Sequence, residues 1–265
     1  MKNKLKTILL CGLCLGGACK RDNTTENIQG KPQDDTVTEI KPGALLLPVS
    51  LESKNLKIEL KYTENTSEIN TIKGSDGYRT EVGWKDGLPV SYMKYLSDKQ
   101  YELVDYQKAS VAGPRMRRFS VTGTVSSFTG ITYTITYNGA LLESLKYYYN
   151  NVPERQLDME YEAGNCTRII ERPAEGAPKE RILKYDTGKG LFSNVKLAER
   201  ILLECKYDFL KPGPNNPLGI EAAGSANGAV SYSYTYNASG YPGEMVVKSG
   251  ATEQRFRITY MELKD

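Results

Sequence analysis

The sequence predicts an all-β fold, an antiparallel meander of repeated β-hairpins whose sheet is curled or closed. Segments in which apolar and polar residues alternate recur along the chain, and such alternation places successive side chains on opposite faces of a strand. An aromatic residue ends most of these segments, at a period of about 24 residues, which fits two strands and two turns. Asp or Asn with Gly follows several of these aromatics, as in tight hairpin turns.

The clearest hairpin is predicted over residues 230–247. Tyr232, Tyr234 and Tyr236 alternate with Ser and Thr, so that the tyrosines share one face of a strand. Asn237 to Gly240 follows as a turn, because Asn and Gly tolerate left-handed backbone conformations. A second apolar segment then completes the hairpin.

The N-terminus predicts an exported protein, with residues 1–18 as a lipoprotein signal peptide. A basic start with three lysines precedes the apolar stretch from Ile8 to Leu15. The small residues before Cys19 resemble a bacterial lipobox, although Gly16 stands where that pattern has Leu. The resemblance implies that Cys19 is the lipid attachment site. A plain secretory signal cleaved near Ala18 is the alternative.

Residues 19–43 are predicted to form the lipidated cysteine and a flexible polar tether, and residues 44–265 a β-hairpin repeat domain. The tether is too polar to bury a core and would span about 25–30 Å as a random coil. Without the three lysines of the signal peptide, the 35 basic residues become 32, equal to the 32 acidic residues. A neutral protein of this kind is not expected to bind nucleic acid.

Nine strand-end aromatics define the repeat: Tyr62, Trp84, Tyr106, Tyr137, Tyr161, Tyr185, Tyr207, Tyr236 and Tyr260. A tyrosine at a strand end buries its ring while its hydroxyl reaches water or a turn, so we expect a structural role for these residues. Tyr148, in the run of tyrosines that begins at position 147, lies off this register and should face outward. It is therefore the candidate for stacking on a sugar.

These residues resemble two known patterns. Tyr185-Asp186 followed by Gly, and the Tyr-Asn pair at Tyr236, are similar to the tyrosine–aspartate repeats of the RHS type. The segment from Tyr207 to Leu218 resembles one found in β-rich envelope lipoproteins of Bacteroidota. The resemblance covers residues 56–263 and implies an all-β meander on an outer-membrane lipoprotein, periplasmic or surface-exposed. It implies no activity, since most of these lipoproteins have no known function.

The apolar face of the predicted sheet must be covered. No long stretch has a helical period, and residues 193–204 are expected to form at most a short turn around Lys196 to Arg200, before the strand that ends at Tyr207. With no helical layer, the apolar face must close on itself as a barrel, a sandwich or a strongly curled sheet.

Two cysteines remain in the predicted domain, Cys166 and Cys205, and we expect both to be unpaired. In a simple meander, three inter-strand gaps of about 4.8 Å, or roughly 14 Å in all, separate their strands. A disulfide requires Cα atoms within about 7 Å. A bond between them would therefore contradict an uninterrupted meander.

The composition excludes several kinds of chemistry. The chain has no His, which excludes Ser-His-Asp triads, Cys-His pairs and His-ligated zinc. It has no P-loop, dinucleotide fingerprint or EF-hand loop, so the sequence predicts no cofactor and no metal site. Carboxylate catalysis is the enzymatic alternative, since Asp158, Glu160 and Glu162 lie about 6.5–7 Å apart along one strand face.

The sequence leaves three functions open. The first is a binding or scaffolding module of the cell envelope, held at the membrane by its lipid anchor, with glycans or an envelope protein as partners. Its candidate ligand-binding residues are Tyr148, Asn215 and Asn216. The two asparagines belong to a long loop predicted from Leu210 to Gly228, and long loops on a β scaffold often carry binding sites. A carboxylate-dependent glycan hydrolase is the second function, and a structural subunit of an outer-membrane assembly is the third.

Overall fold

The computed structural model describes residues 43–97, 100–107, 115–122, 125–139, 141–203, 205–222 and 229–263. These residues form sixteen strands and one short helix. The strands are β1 (Leu46–Glu52), β2 (Lys57–Tyr62), β3 (Ile69–Gly74), β4 (Arg79–Lys85), β5 (Leu88–Ser97), β6 (Gln100–Gln107), β7 (Arg115–Thr122), β8 (Val125–Asn138), β9 (Leu141–Tyr149), β10 (Val152–Glu162), β11 (Asn165–Pro173), β12 (Lys179–Tyr185), β13 (Pro217–Ala222), β14 (Val230–Tyr236), β15 (Pro242–Ser249) and β16 (Thr252–Glu262). The helix α1 is Ala198–Leu202.

The sheet is an antiparallel meander that returns to its first strand. Each strand pairs with the next one along the chain, and β1 pairs with both β2 and β16. Leu51 lies opposite Ile58 on one side and Ile258 on the other. The sheet is therefore a closed barrel. The predicted all-β hairpin meander is confirmed, and closure solves the problem of covering its apolar face.

Tight turns join the hairpins where the sequence places Asp or Asn with Gly. Asp86 and Gly87 connect β4 to β5 with φ angles of 53° and 70°. Two consecutive left-handed residues give the turn a twist that matches the flanking strands. Gly240, with φ 80°, ends the turn between β14 and β15. The period of the sequence thus reflects hairpin turns at regular spacing.

Most of the strand-end aromatics lie at one rim of the barrel, the rim at which β1 begins, called here the N-terminal rim. Five of them donate a hydrogen bond to a backbone carbonyl at the start of the preceding strand, with distances of 2.8 or 2.9 Å. The pairs are Tyr62 with Pro48, Trp84 with Ile69, Tyr161 with Leu142, Tyr185 with Cys166 and Tyr260 with Pro242. The predicted structural role is confirmed for these residues, because each one ties a hairpin together at its open end.

The interior is filled by a segment that the sequence does not reveal. Residues 186–216, called here the inner segment, connect β12 to β13 and contribute buried apolar residues to the same core as the strands. A ring of sixteen strands encloses more space than wall side chains can fill, so another element must occupy it. The residues of this segment that supply core contacts are Leu191, Phe192, Val195, Ala198, Ile201, Leu202, Cys205, Tyr207 and Leu210.

Two predictions about this region are wrong. The strand predicted to end at Tyr207 does not form, since residues 203–216 hold no strand in the described part of the chain. Tyr207 lies inside the barrel at 5% exposure. The loop predicted from Leu210 to Gly228 is interrupted by β13. Both errors have the same cause. The inner segment runs into the barrel and back, and the chain forms a strand again only where it rejoins the wall as β13.

The two cysteines are unpaired, as predicted. The predicted separation by three strands does not apply, because Cys205 belongs to the inner segment and Cys166 to β11. Cys205 is buried and Cys166 is partly buried. Burial raises the pKa of Cys166 to about 12, so this thiol remains neutral.

We expect the stability of the fold to decrease steeply above pH 10. Burial raises the pKa of Tyr62, Tyr161 and Tyr260 far above the ordinary value, while the same tyrosines ionise near pH 10 in an unfolded chain. Above pH 10 the unfolded state therefore binds fewer protons than the folded state, and the free energy of unfolding falls as pH rises. Urea titrations between pH 8 and pH 11, followed by circular dichroism, would measure this decrease.

Tyr234→Phe is the matched variant for that experiment. Burial raises the pKa of Tyr234, and among the described residues its hydroxyl makes no hydrogen bond. The variant should therefore keep its stability at pH 7 and show a shallower decrease above pH 10. A wild-type stability that is constant up to pH 11 would contradict the expectation.

Candidate ligand site on the inner face

The inner segment is held at the N-terminal rim by the amide of Asn216, which is 1% exposed. Leu191 donates its backbone N–H to Asn216 Oδ1 at 2.8 Å. Asn216 Nδ2 donates to the carbonyl oxygen of Lys189 at 2.8 Å and to the hydroxyl of Tyr236 at 3.2 Å. One side chain thus joins the outgoing and returning parts of the segment to β14.

Asn215 supports the same junction from its other side. Asn165 Nδ2 donates to Asn215 Oδ1 at 2.9 Å, and Asn215 Nδ2 donates to the carbonyl oxygen of Gly188 at 2.8 Å. The backbones also approach closely, since a methyl group at Gly190 would clash with the carbonyl oxygen of Gly213. The two asparagines therefore fix the ends of the inner segment against each other and against β11.

A second attachment holds the far part of the inner segment. Lys206 Nζ and the hydroxyl of Tyr207 each lie 2.8 Å from the carboxylate of Asp76, in the turn between β3 and β4. The backbone N–H of Lys206 donates to the hydroxyl of Tyr78 at 3.0 Å. The segment is thus tied to both rims, and its position across the interior is fixed.

One carboxyl group is buried between the inner segment and the wall. Glu199, on α1, has an oxygen 3.2 Å from the hydroxyl of Tyr161, and Leu142 donates its backbone N–H to that same oxygen at 3.5 Å. Burial raises the pKa of Glu199, and these two hydrogen bonds oppose the shift. This arrangement gives the interior a polar contact beside the wall that β9 and β10 form.

Charged side chains cover part of the inner wall that the inner segment leaves uncovered. Arg155 lies opposite Tyr147 in the register of β10 and β9, with its guanidinium 4.2 Å from the centre of that ring. Its Nη1 is 3.4 Å from a carboxylate oxygen of Glu171. Lys94 and Glu102, on β5 and β6, face inward with the buried Tyr92 and Val104, and their charged groups are 4.0 Å apart. The inner face is therefore charged as well as apolar.

Lys211 and Arg181 form the most unusual part of this face. Leu183 of β12 is buried inside the barrel, and Arg181, two positions before it, points to the same side of the strand. Lys211 directly follows the buried Leu210 on the inner segment. Both cations are half-buried. Burial lowers the pKa of Lys211, the negative charge of Asp208 opposes this, and the positive charge of Arg181 lowers it further. Two half-buried cations thus lie near one another, and Asp208 is an acid whose charge acts on Lys211.

The predicted ligand residues are not brought together. Tyr148 lies opposite Thr132 and Pro153, on the face opposite to the buried Tyr147, so it faces outward as predicted, and it is half-buried. The asparagine pair, Asn215 and Asn216, lies inside the N-terminal rim, with its amides engaged in internal hydrogen bonds. Ligand binding by these three residues stays a prediction. Cys19 lies outside the described residues.

The acids proposed for catalysis lie on the outer face. Arg172 Nε is 2.8 Å from Asp158, and Arg168 Nη1 is 3.2 Å from Glu160. Glu162 is exposed at the turn between β10 and β11. These contacts are cross-strand ion pairs on the outer face of the wall.

Sequence reasoning missed the cations of the inner face. The signal was present, because Arg181 occupies an apolar position of the alternation that continues through Leu183 and Tyr185. A charged residue at a core position needs a partner or a function. Lys211 had no comparable signal, since the inward course of its segment cannot be recognised from local sequence.

The architecture defines a class of protein, a closed antiparallel barrel of hairpins with a connecting segment packed inside it. The chain is similar to a porin-like protein from Bacteroides uniformis, with a TM-score of 0.53 and 11% identity over 82% of this chain and 98% of that one. It is also similar to a porin-like protein from Bacteroides vulgatus, with a TM-score of 0.47 and 13% identity over 81% of this chain and 99% of that one. At this identity, the first likeness shows a shared fold.

No protein-family model and no curated protein sequence matches the chain. No helix in the described residues is a candidate for crossing a membrane.

Proposed function

We propose that the protein is an envelope-anchored lipoprotein that acts as a binding module, with glycans as its ligands and the inner face of the barrel as its binding surface. The observation that carries the proposal is the charged inner wall beside the inner segment. Arg155 lies over the buried ring of Tyr147 and keeps its side chain 42% exposed, so its guanidinium presents hydrogen-bond donors of the kind that fix polar ligands such as sugars.

The envelope location is supported by two independent observations. The lipobox-like sequence before Cys19 and the polar tether that follows it are those of a lipid-anchored protein. The structural neighbours are described as porin-like and come from Bacteroides. We therefore propose attachment at the outer membrane, on its periplasmic or its outer surface.

The barrel wall itself does not resemble a wall in contact with lipid. Cross-strand ion pairs lie on its outer face, and an Arg or Lys facing lipid at mid-membrane costs about 2–4 kcal/mol. We propose that this wall stands in water and that the N-terminal lipid reaches the membrane. The outward-facing pairs are Lys57–Glu59, Arg79–Glu81, Arg168–Glu160, Arg168–Glu180, Arg172–Asp158, Lys184–Glu221, Lys248–Glu253 and Arg255–Glu244.

A glycan array probed with the purified full chain tests the proposal. We expect saturable binding to at least one class of saccharide, and Arg155→Ala should weaken it about tenfold by removing the guanidinium from the inner face. Tyr148→Ala is the matched change on the outer face. A loss with Tyr148→Ala alone would support the glycan module and move its site to the outer face. Absence of binding to every glycan would contradict the proposal.

The two alternatives have less support. A glycan hydrolase needs two carboxyl groups about 5–10 Å apart beside the sugar, whereas Asp158 and Glu160 are paired with arginines on the outer face. A structural subunit would need a continuous exposed apolar patch. Leu45, just before β1, and Met261, on β16, are exposed apolar side chains at the N-terminal rim, at 46% and 37%.

A further inference from the structure

We propose that Lys211 and Arg181 form an anion-binding site that holds the acidic group of a saccharide, a carboxylate, a sulfate or a phosphate. This inference rests on the proposed glycan-binding function and names the ligand class. The two cations come from different elements, the inner segment and β12. Both are half-buried, Arg181 on the inward side of its strand, and they lie close enough for the charge of Arg181 to act on Lys211.

The first argument is the lack of partners. Among the described residues, the side chains of Lys211 and Arg181 make no hydrogen bond and no ion pair. The other inward cations do have partners, as Lys94 has Glu102 and Arg155 has Glu171. Half-buried charges are ordinarily paired, because removing them from water without a partner is unfavourable.

The second argument is the balance of charge around the pair. Asp208 is exposed and close enough to affect the pKa of Lys211, yet it bonds to neither cation. The thiol of Cys166 lies close to both cations but stays neutral, since burial raises its pKa to about 12. Asp208 is the one carboxylate whose charge acts on Lys211, and a single negative charge does not balance the two cations. An anionic ligand would neutralise the remaining positive charge.

The third argument is chemical fit. A guanidinium presents two parallel N–H donors that match the two oxygens of a carboxylate, sulfate or phosphate. A lysine ammonium adds a point charge with three donors. Arg181 and Lys211 thus offer both kinds of donor to one acidic group, while Arg155, elsewhere on the inner face, offers donors to the hydroxyl groups of a saccharide.

Calorimetric titration of the purified full chain with D-glucuronate, D-glucose and inorganic sulfate tests the inference. We expect glucuronate to bind at least tenfold more tightly than glucose, which carries a CH2OH group in place of the carboxylate. Arg181→Gln and Lys211→Met should each weaken glucuronate binding at least tenfold. Lys184→Gln is the matched control, since Lys184 lies on the outer face of the same strand and pairs with Glu221. It should leave the affinity unchanged.

A thermal melt separates loss of the site from loss of the fold. Lys211→Met removes a half-buried cation that has no partner among the described residues, so it should keep or raise the melting temperature while binding is lost. A residue with only a structural role would show a lower melting temperature. Sulfate should compete with glucuronate if the acidic group alone is recognised, and sulfate binding without glucuronate binding would overturn the assignment to a saccharide.

The remaining outcomes distinguish the two proposals. Equal affinities for glucuronate and glucose, or equal losses with Lys184→Gln and Arg181→Gln, would overturn the anion site. If the anion site is overturned in this way but the protein still binds neutral glycans on the array, the binding-module proposal stands without the anion site. If no saccharide binds in either experiment, both proposals fail.

Discussion

Asn216→Ala is expected to lower the free energy of unfolding by about 3–5 kcal/mol. The amide is 1% exposed and takes part in three hydrogen bonds, with Leu191, Lys189 and Tyr236. The variant leaves a buried N–H and a buried carbonyl without partners, and each such group costs about 1–3 kcal/mol. Equilibrium denaturation in urea, followed by the fluorescence of Trp84, the single tryptophan of the chain, would measure the change.

Asn55→Ala is the control for that measurement. Asn55 is exposed in the turn between β1 and β2, and its side chain makes no hydrogen bond among the described residues. Surface substitutions of this kind usually change stability by less than about 0.5 kcal/mol. A similar small cost for Asn216→Ala would show that the inner segment is held by its apolar contacts alone.

Phe256→Ala should cost about 3–5 kcal/mol through the cavity that it leaves. The ring of Phe256 is 0% exposed and stacks on Phe209 of the inner segment, with ring centres 5.0 Å apart and an interplanar angle of 27°. The substitution therefore removes a contact between wall and inner segment as well as a core side chain. Near-ultraviolet circular dichroism should weaken at the same time, because the aromatic packing inside the barrel loosens.

Tyr149→Ala provides the comparison, since this aromatic is 54% exposed at the end of β9. It should cost less than about 1 kcal/mol. If Phe256→Ala proved equally mild, the inner segment would have to repack around the missing ring, and the interior would be less tightly packed than the burial of Phe256 indicates.

The hairpins could be predicted from the sequence because their determinants are local. Alternation fixes which face of a strand Ile58 or Leu60 occupies, and Asp86-Gly87 fixes a turn. The course of residues 203–207 could not be predicted in this way. Leu203, Cys205 and Tyr207 alternate as a strand does, yet a strand needs a free edge to pair with. In the closed sheet β12 pairs with β11 and β13, which leaves no edge for them.

For the same reason, only one of the two cations of the candidate site, Arg181, could be placed from the sequence. Arg181 stands at an apolar position of a strand that was predicted correctly, so its inward orientation followed from the alternation. Lys211 lies near it only because the inner segment returns through the interior. Tyr148 was placed correctly on the outer face, since that depends on strand parity alone.

Closure of the ring also has a consequence for how the chain folds. The seam between β1 and β16 joins residues near opposite ends of the chain; Gln254 donates to the hydroxyl of Ser53, 201 positions away. Contacts this distant in sequence form slowly, because a long loop must close before they contribute any stability. The seam is therefore expected to form last, after the inner segment has entered. Until then β1 and β16 both expose unpaired edges, and the chain is most prone to aggregate in that interval.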